Sequence, residues 1–187
     1  MKKTVFTFGL ISGAILSAMM LMTIPFMDAI GFDRGEVIGY TSMVLAFLLI
    51  YFGVRSYRDN IAGGTVTFGR AFKVGALIAV VSSICYVATW EVVYFKLSPD
   101  FLTKYQEHTI EKARAAGETE EAIGNRRADM EQFAKLYQNP AINAAITFLE
   151  PLPVALIMTL VTAGVLSRRR KDGSPEVGAA SGARVST

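Results

Sequence analysis

Residues 5–26 read VFTFGLISGAILSAMMLMTIPF, an apolar stretch without one charged side chain. A bilayer core about 30 Å thick needs about 20 apolar residues in a helix that rises about 1.5 Å per residue. Val5–Phe26 meets that length, and three further runs come close to it: Val37–Val54, Phe72–Phe95 and Ala141–Leu166. The pattern predicts an all-α membrane protein, with four transmembrane helices and an extramembrane helical hairpin between spans three and four. Lys2 and Lys3 precede the first run as they would in a signal peptide. The run is longer than such a leader and ends in no small-x-small cleavage site, so a retained helix is expected.

Composition agrees. Hydrophobic residues make up 52% of the 187 and charged residues only 19%, and the charges gather between the runs. Their signs are uneven. Lys2 and Lys3 at the amino end, Arg55, Arg58, Arg70 and Lys73 between spans two and three, and Arg168, Arg169, Arg170, Lys171 and Arg184 after span four face only Asp59, Asp172 and Glu176. The first link is acidic, with Asp28, Asp33 and Glu36 against Arg34. Cationic flanks stay cytoplasmic, so both termini are expected in the cytoplasm and the acidic and long links outside. Arg55, Arg58, Arg70, Lys73, Arg168, Arg169, Arg170 and Lys171 then serve as membrane-surface anchors. Residues 1–168 read as the four-helix domain and 169–187 as a basic, then disordered, cytoplasmic tail. The net charge of +3 is thus a topology signal. No basic, aromatic-laced soluble surface suggests nucleic acid.

Small residues recur every fourth position at Gly9, Gly13 and Ser17, and again at Gly75, Ala79 and Ser83. Such stripes let helix backbones approach closely in lipid, and here they are expected to pack span on span within one chain. Cys85, the single cysteine, reads as a small packing residue. The stretch Gly64–Ala71, GTVTFGRA, has the glycine spacing of a phosphate-binding loop. Arg70 stands where that loop needs Lys, and Ala71 where it needs Ser or Thr. It reads instead as a turn at Gly63-Gly64, with Thr67 capping span three.

The long outer link, 96–139, has its own order. Ser98 and Pro99 are expected to start a helix carrying a stripe of Leu102, Tyr105, Thr109, Ala113 and Ala116, ended by Gly117. Thr119 caps a second helix, in which Met130, Phe133, Ala134 and Tyr137 share a face. Asn139-Pro140 closes the hairpin of about 98–138 and opens span four. His108 beside Glu107 and Glu111 reads as a solvated side chain on a charged helix, and neither a metal nor another cofactor is called for.

Glu91 and Glu150 carry the chemical interest because acids in lipid are costly and usually face a bundle interior or a cavity. Glu150 falls about 6 Å from the mid-plane and Glu91 about 11 Å, on the same side. Pro151 and Pro153 follow Glu150, and neither can donate a backbone hydrogen bond, so span four should kink and free the carbonyls of Thr147 and Leu149. Glu150, Glu91, Thr147 and Asn143 form the candidate intramembrane polar site; structural hydrogen bonding between helices is the alternative role for the two acids.

The opening Met1-Lys2-Lys3-Thr4, the Gly39-Tyr40-Thr41-Ser42-Met43 start of span two, Thr67-Phe68-Gly69-Arg70-Ala71-Phe72-Lys73 before span three and Glu150-Pro151-Leu152-Pro153 resemble a bacterial multi-pass family, domain of unknown function 4199. The resemblance covers about residues 1–168. It implies an integral bacterial membrane protein of four helices and brings no catalytic residues with it.

Two function classes follow. The first is a non-enzymatic binding or accessory protein of the bacterial inner membrane, whose partners are the bilayer and either further copies of itself or another membrane protein. The second is a small transporter or an ion- or proton-conducting protein using Glu91 and Glu150. An intramembrane enzyme ranks third, since no Ser-His pair or multi-His set is present.

Overall fold

A computed structural model describes residues 1–167; the cationic cluster at Arg168, Arg169, Arg170 and Lys171 and the tail expected over 169–187 lie outside the described residues. The chain is helical almost throughout. Helix α1 spans Lys2–Thr23 and passes through a 3₁₀ turn at Pro25 into the short α2, Met27–Ile30. Gly31, at φ 82°, then reverses the chain into α3, Phe32–Asn60. Gly63 and Gly64 take φ values of 70° and 86°, which L side chains resist, and form the expected turn before α4, Phe68–Val92. A π turn at Val93–Leu97 extends α4, and the hairpin follows as α5, Phe101–Ala115, and α6, Glu120–Tyr137. The fourth span is two helices, α7, Pro140–Leu149, and α8, Leu152–Leu166. Lys2–Ile30, Phe32–Asn60, Phe68–Leu97 and Pro140–Leu166 are each long and apolar enough to cross a membrane.

The helices outrun the apolar stretches that announce them. Helix α3 begins at Phe32 rather than Val37 and ends at Asn60 rather than Val54, so the acidic link is mostly helix. Hydropathy marks only the part of a helix dissolved in lipid, while the helix itself stops where glycine stops it. Helix α5 starts at Phe101 with Asp100 at its cap, because Ser98 and Pro99 form a turn in which Ser98 O accepts from Phe101 N at 3.1 Å. Thr67 holds the cap position of α4 with extended backbone but no side-chain hydrogen bond. Thr119 and Asn139 do cap, accepting from Ala122 N and Ala141 N. In α5 the residues buried against the partner helix are Ile110 and Ala113, which meet Ile123; Tyr105, placed on that stripe by periodicity, is exposed.

Helix α4 is the hub. It packs on α1, α3, α7 and α8, while α1 and α8 flank the α3–α4 pair. The small-residue stripes are the reason for the close fit. A Cβ on Gly9 would stand 2.7 Å from Val81 Cβ, and one on Gly75 would stand 3.0 Å from both Ile50 and Thr159. Close approach lets hydroxyls reach across: Ser12 donates to Ala46 O at 2.9 Å, Ser82 to Gly9 O at 3.1 Å, and Thr89 to Ser17 Oγ at 2.7 Å. Phe47, Ile50, Val54, Val74 and Ile78 fill the centre, each without exposure.

Candidate functional site

The break in the fourth span shapes the site. Pro151 and Pro153 each lack an N–H, so the helix loses two hydrogen bonds within one turn and parts between Leu149 and Leu152. Below the break α8 packs on α3 and α4. Above it α7 turns to α4 and α6. The space α7 gives up beside α3 is a cleft of about 590 Å³. Tyr40 and Met43 of α3 line it together with Ile146 of α7 and Glu150 just after α7, Leu16 and Met20 of α1 and Trp90 of α4 line its back, and the α5–α6 hairpin roofs it.

Glu150 lies on the wall at the helix break. Its Oε2 accepts a hydrogen bond from Tyr86 OH at 3.0 Å. Tyr86 and Trp90 are four residues apart on α4 and so share the face turned to the cleft. Glu91 follows Trp90 by one residue, about 100° round the helix, and is not on the cleft wall. It is half-buried, and among the described residues its Oε1 has no hydrogen-bond partner.

Asn143 and Thr147 do other work. Both are buried, in a chain of hydrogen bonds whose direction is fixed by its donors. The indole Nε1 of Trp90 donates to Tyr137 OH at 2.9 Å, and Tyr137 OH meets Thr147 Oγ1 at 2.9 Å. Thr147 Oγ1 donates to Asn143 Oδ1 at 3.2 Å, and Asn143 Nδ2 returns to Tyr137 O at 3.3 Å. Trp90 is donor-only and Thr147 spends its proton on Asn143, so Tyr137 must donate to Thr147. This chain ties α4, α6 and α7 together and fixes the hairpin over the cleft.

The roof is held at its far edge by charge. Lys104 meets Asp28 at 2.8 Å and Asp100 at 3.0 Å; Lys112 meets Asp33 at 2.6 Å. These carboxylates raise the Lys104 and Lys112 ammonium pKa values above the ordinary 10.5, and Lys104 lowers that of Asp100 below 3.8. His108 Nε2 lies 3.5 Å from Asp33 Oδ1, and its ring stacks at a tilt on Phe32, centroids 5.3 Å apart. His108 is therefore part of the contact between hairpin and bundle, and not the solvated side chain its charged helix suggests. The signal was in the sequence: Lys104, His108 and Lys112 are spaced by four on one face of α5, opposite the acidic link.

The remaining expected positions are dispersed. A Cβ on Gly13 would press on Cys85, Ser17 meets Cys85 O and Thr89, and Ala79 and Ser83 are buried on α4. Arg55 and Arg58 pair with Asp59 at 3.6 and 2.7 Å at the end of the bundle where α4 begins, near Arg70 and Lys73. Among the described residues no group of three or more His, Cys, Asp or Glu side chains forms a metal-ligand set.

No curated protein and no solved structure matches the chain. A family model does match, over residues 7–168, which takes in every residue lining the cleft. The chain therefore belongs to the family described as protein of unknown function (DUF4199).

Proposed function

We propose that this chain is a non-enzymatic binding protein of the bacterial inner membrane, and that the cleft beside Glu150 takes a small amphipathic molecule from the bilayer. The observation that carries the reading is the cleft itself: it has drug-sized volume, a mostly apolar lining and a few convergent polar groups. Conduction through Glu91 and Glu150 is the less favoured reading. A path would have to continue past Glu150, where Ala46, Phe47, Ile50 and Ile78 are packed without exposure, and Glu91 lies off the cleft wall.

Trp90 is the only tryptophan and lines the cleft, so its fluorescence reports occupancy. In nanodiscs, bromoundecanol should quench it saturably. Gly39 also lines the cleft, and a Cβ there would meet nothing within 4 Å, so Gly39→Phe should fill the space without a clash and protect Trp90. Equal quenching in both proteins would mean that the bromine acts from bulk lipid and the cleft stays empty.

The proposed topology has both termini cytoplasmic and the hairpin outside. A cysteine replacing Glu107, on an exposed face of α5, should react with an impermeant thiol reagent in intact cells. Reaction of a cysteine at Asn60 instead would invert the assignment.

A further inference from the structure

We infer that the cleft selects lipophilic monocations, molecules carrying one ammonium-like charge on an apolar body. This rests on the binding reading above and names the ligand class. The ionisable side chains lining the cleft are Asp33, Glu36 and Glu150 against Lys112, with His108 beside them. Lys112 and His108 both turn to Asp33, at 2.6 and 3.5 Å. Glu36 takes part in no salt bridge among the described residues, and Glu150 meets only the Tyr86 hydroxyl. The two carboxyl groups left over are free to meet a cationic head, and among the described residues the lining offers no unpaired cation to hold an anionic one.

The walls fit the same class. Tyr86, Trp90, Phe101, Tyr105 and Phe133 all border the cleft, and a cation over an aromatic face is attracted by the ring quadrupole. Trp90 Nε1 is already spent on Tyr137 and its buried ring packs edge to face on Phe101, so it borders the cleft without adding a free donor. Met19, Met20 and Ile146, which line the cleft with part of their surface free, supply apolar contact for a hydrocarbon body. A neutral amphiphile would gain only that apolar burial, while a monocation gains the aromatic faces and the carboxyl as well. Such a molecule already partitions into the bilayer that surrounds these helices.

Three bromoundecyl probes of one chain length decide the matter: the trimethylammonium, the alcohol and the sulfate. Each is titrated into the full-length protein in phosphatidylcholine nanodiscs, with its bilayer concentration measured and Trp90 quenching as the readout. The trimethylammonium should reach half-saturation at least about tenfold below the alcohol, with the sulfate weakest, as a charge-assisted contact would give. Glu150→Gln should raise the cation's midpoint to near that of the alcohol, and Glu36→Gln should raise it less. Saturable quenching by the alcohol in each variant certifies that the cleft has formed. Should Glu150→Gln not accumulate, the ranking of the three heads in the unaltered protein and the Glu36→Gln shift decide. Equal midpoints, or a lower one for the sulfate, would overturn cation selectivity and leave the binding reading standing. No saturable quenching by any probe, or none relieved by Gly39→Phe, would overturn the binding reading itself.

Discussion

A Cβ added to Gly13 would stand 2.6 Å from Cys85 Cβ and 2.8 Å from its sulfur, whereas one added to Gly39 would meet nothing within 4 Å. Both glycines lie in membrane-spanning helices, and their sequence settings are alike. One brings two backbones together; the other leaves room beside α3 that α7, turned away at Pro151, does not fill. Close packing through α1, α4 and α8 and empty space between α3 and α7 are thus built from the same residue type. What separates them is whether the facing helix continues straight or breaks.

The same substitution at the two positions tests that contrast, and the largest effect is expected at the first. Leucine at Gly13 must displace the Cys85 side chain and then house three more carbons against α4. The cost should reach about 3 kcal/mol, the upper end for an overpacked core. For a chain of this size each kcal/mol lowers Tm by about 2–4 °C. Leucine at Gly39 should change stability by no more than about 0.5 kcal/mol, as substitutions clear of packed contacts do. Thermal unfolding of the two purified variants in one detergent measures both. Equal losses would show that the cleft closes up and that its walls are as tightly packed as the α1–α4 contact.

A smaller effect is expected where the roof joins the bundle. Tyr137→Phe removes the hydroxyl that accepts from Trp90 Nε1 and donates to Thr147. The indole N–H is then stranded in a buried place, which costs about 1–2 kcal/mol. The loss should appear as faster hydrogen exchange in α6 and α7, with α1 and α8 unchanged. Uniform acceleration through every helix would mean that the hydrogen-bond chain supports the whole bundle and does not specifically anchor the roof.

The close-packed region was the more legible one. A run such as Val5–Phe26 can hardly be anything but a span, and its Gly9-Gly13-Ser17 stripe announces a close contact because only small side chains permit one. Pro151 and Pro153 announce the break because neither ring nitrogen can donate. The cleft was less legible. Depth along a helix follows from counting residues, but the direction in which a side chain points depends on how neighbouring helices turn. Glu91 and Glu150 therefore looked like partners by depth, yet Glu150 lies on the cleft wall and Glu91 does not. Asn143 and Thr147 looked like ligand contacts by polarity, and they are occupied with Tyr137 instead. With Trp90 donating to the same Tyr137 hydroxyl, the chain joins residues from three helices, and no local pattern encodes it. The Lys104-His108-Lys112 spacing could have been read, since it sets two cations and an imidazole on one face in a chain whose first link is acidic.

The smallest effect expected is at those charged clasps, because their groups face solvent and exposed ion pairs contribute little. Its sign follows from the shifted groups. The Lys104 and Lys112 ammonium pKa values are raised by their carboxylate partners, so their contribution is complete below the ordinary amine value of 10.5 and is lost as pH climbs through the raised values. The Asp100 pKa is lowered by Lys104, so its contribution is complete above 3.8 and is lost as pH falls through the lowered value. Between about pH 5 and pH 9 the roof should therefore stay equally well seated, and it should loosen outside the two limits. Spin labels at the exposed positions Arg34 and Glu107 would read the seating directly, as a distance distribution that is narrow in the window and broad beyond it. Asp33→Asn, which removes the partner of Lys112, should broaden the distribution at neutral pH and low salt. Since salt already screens the intact pair, the variant and the unaltered protein should converge as ionic strength rises. A distribution that ignores pH, salt and Asp33→Asn alike would assign the seating of the roof wholly to the Tyr137 hydrogen bonds and to the Phe32, Phe101 and Tyr105 rings that pack edge to face beside them.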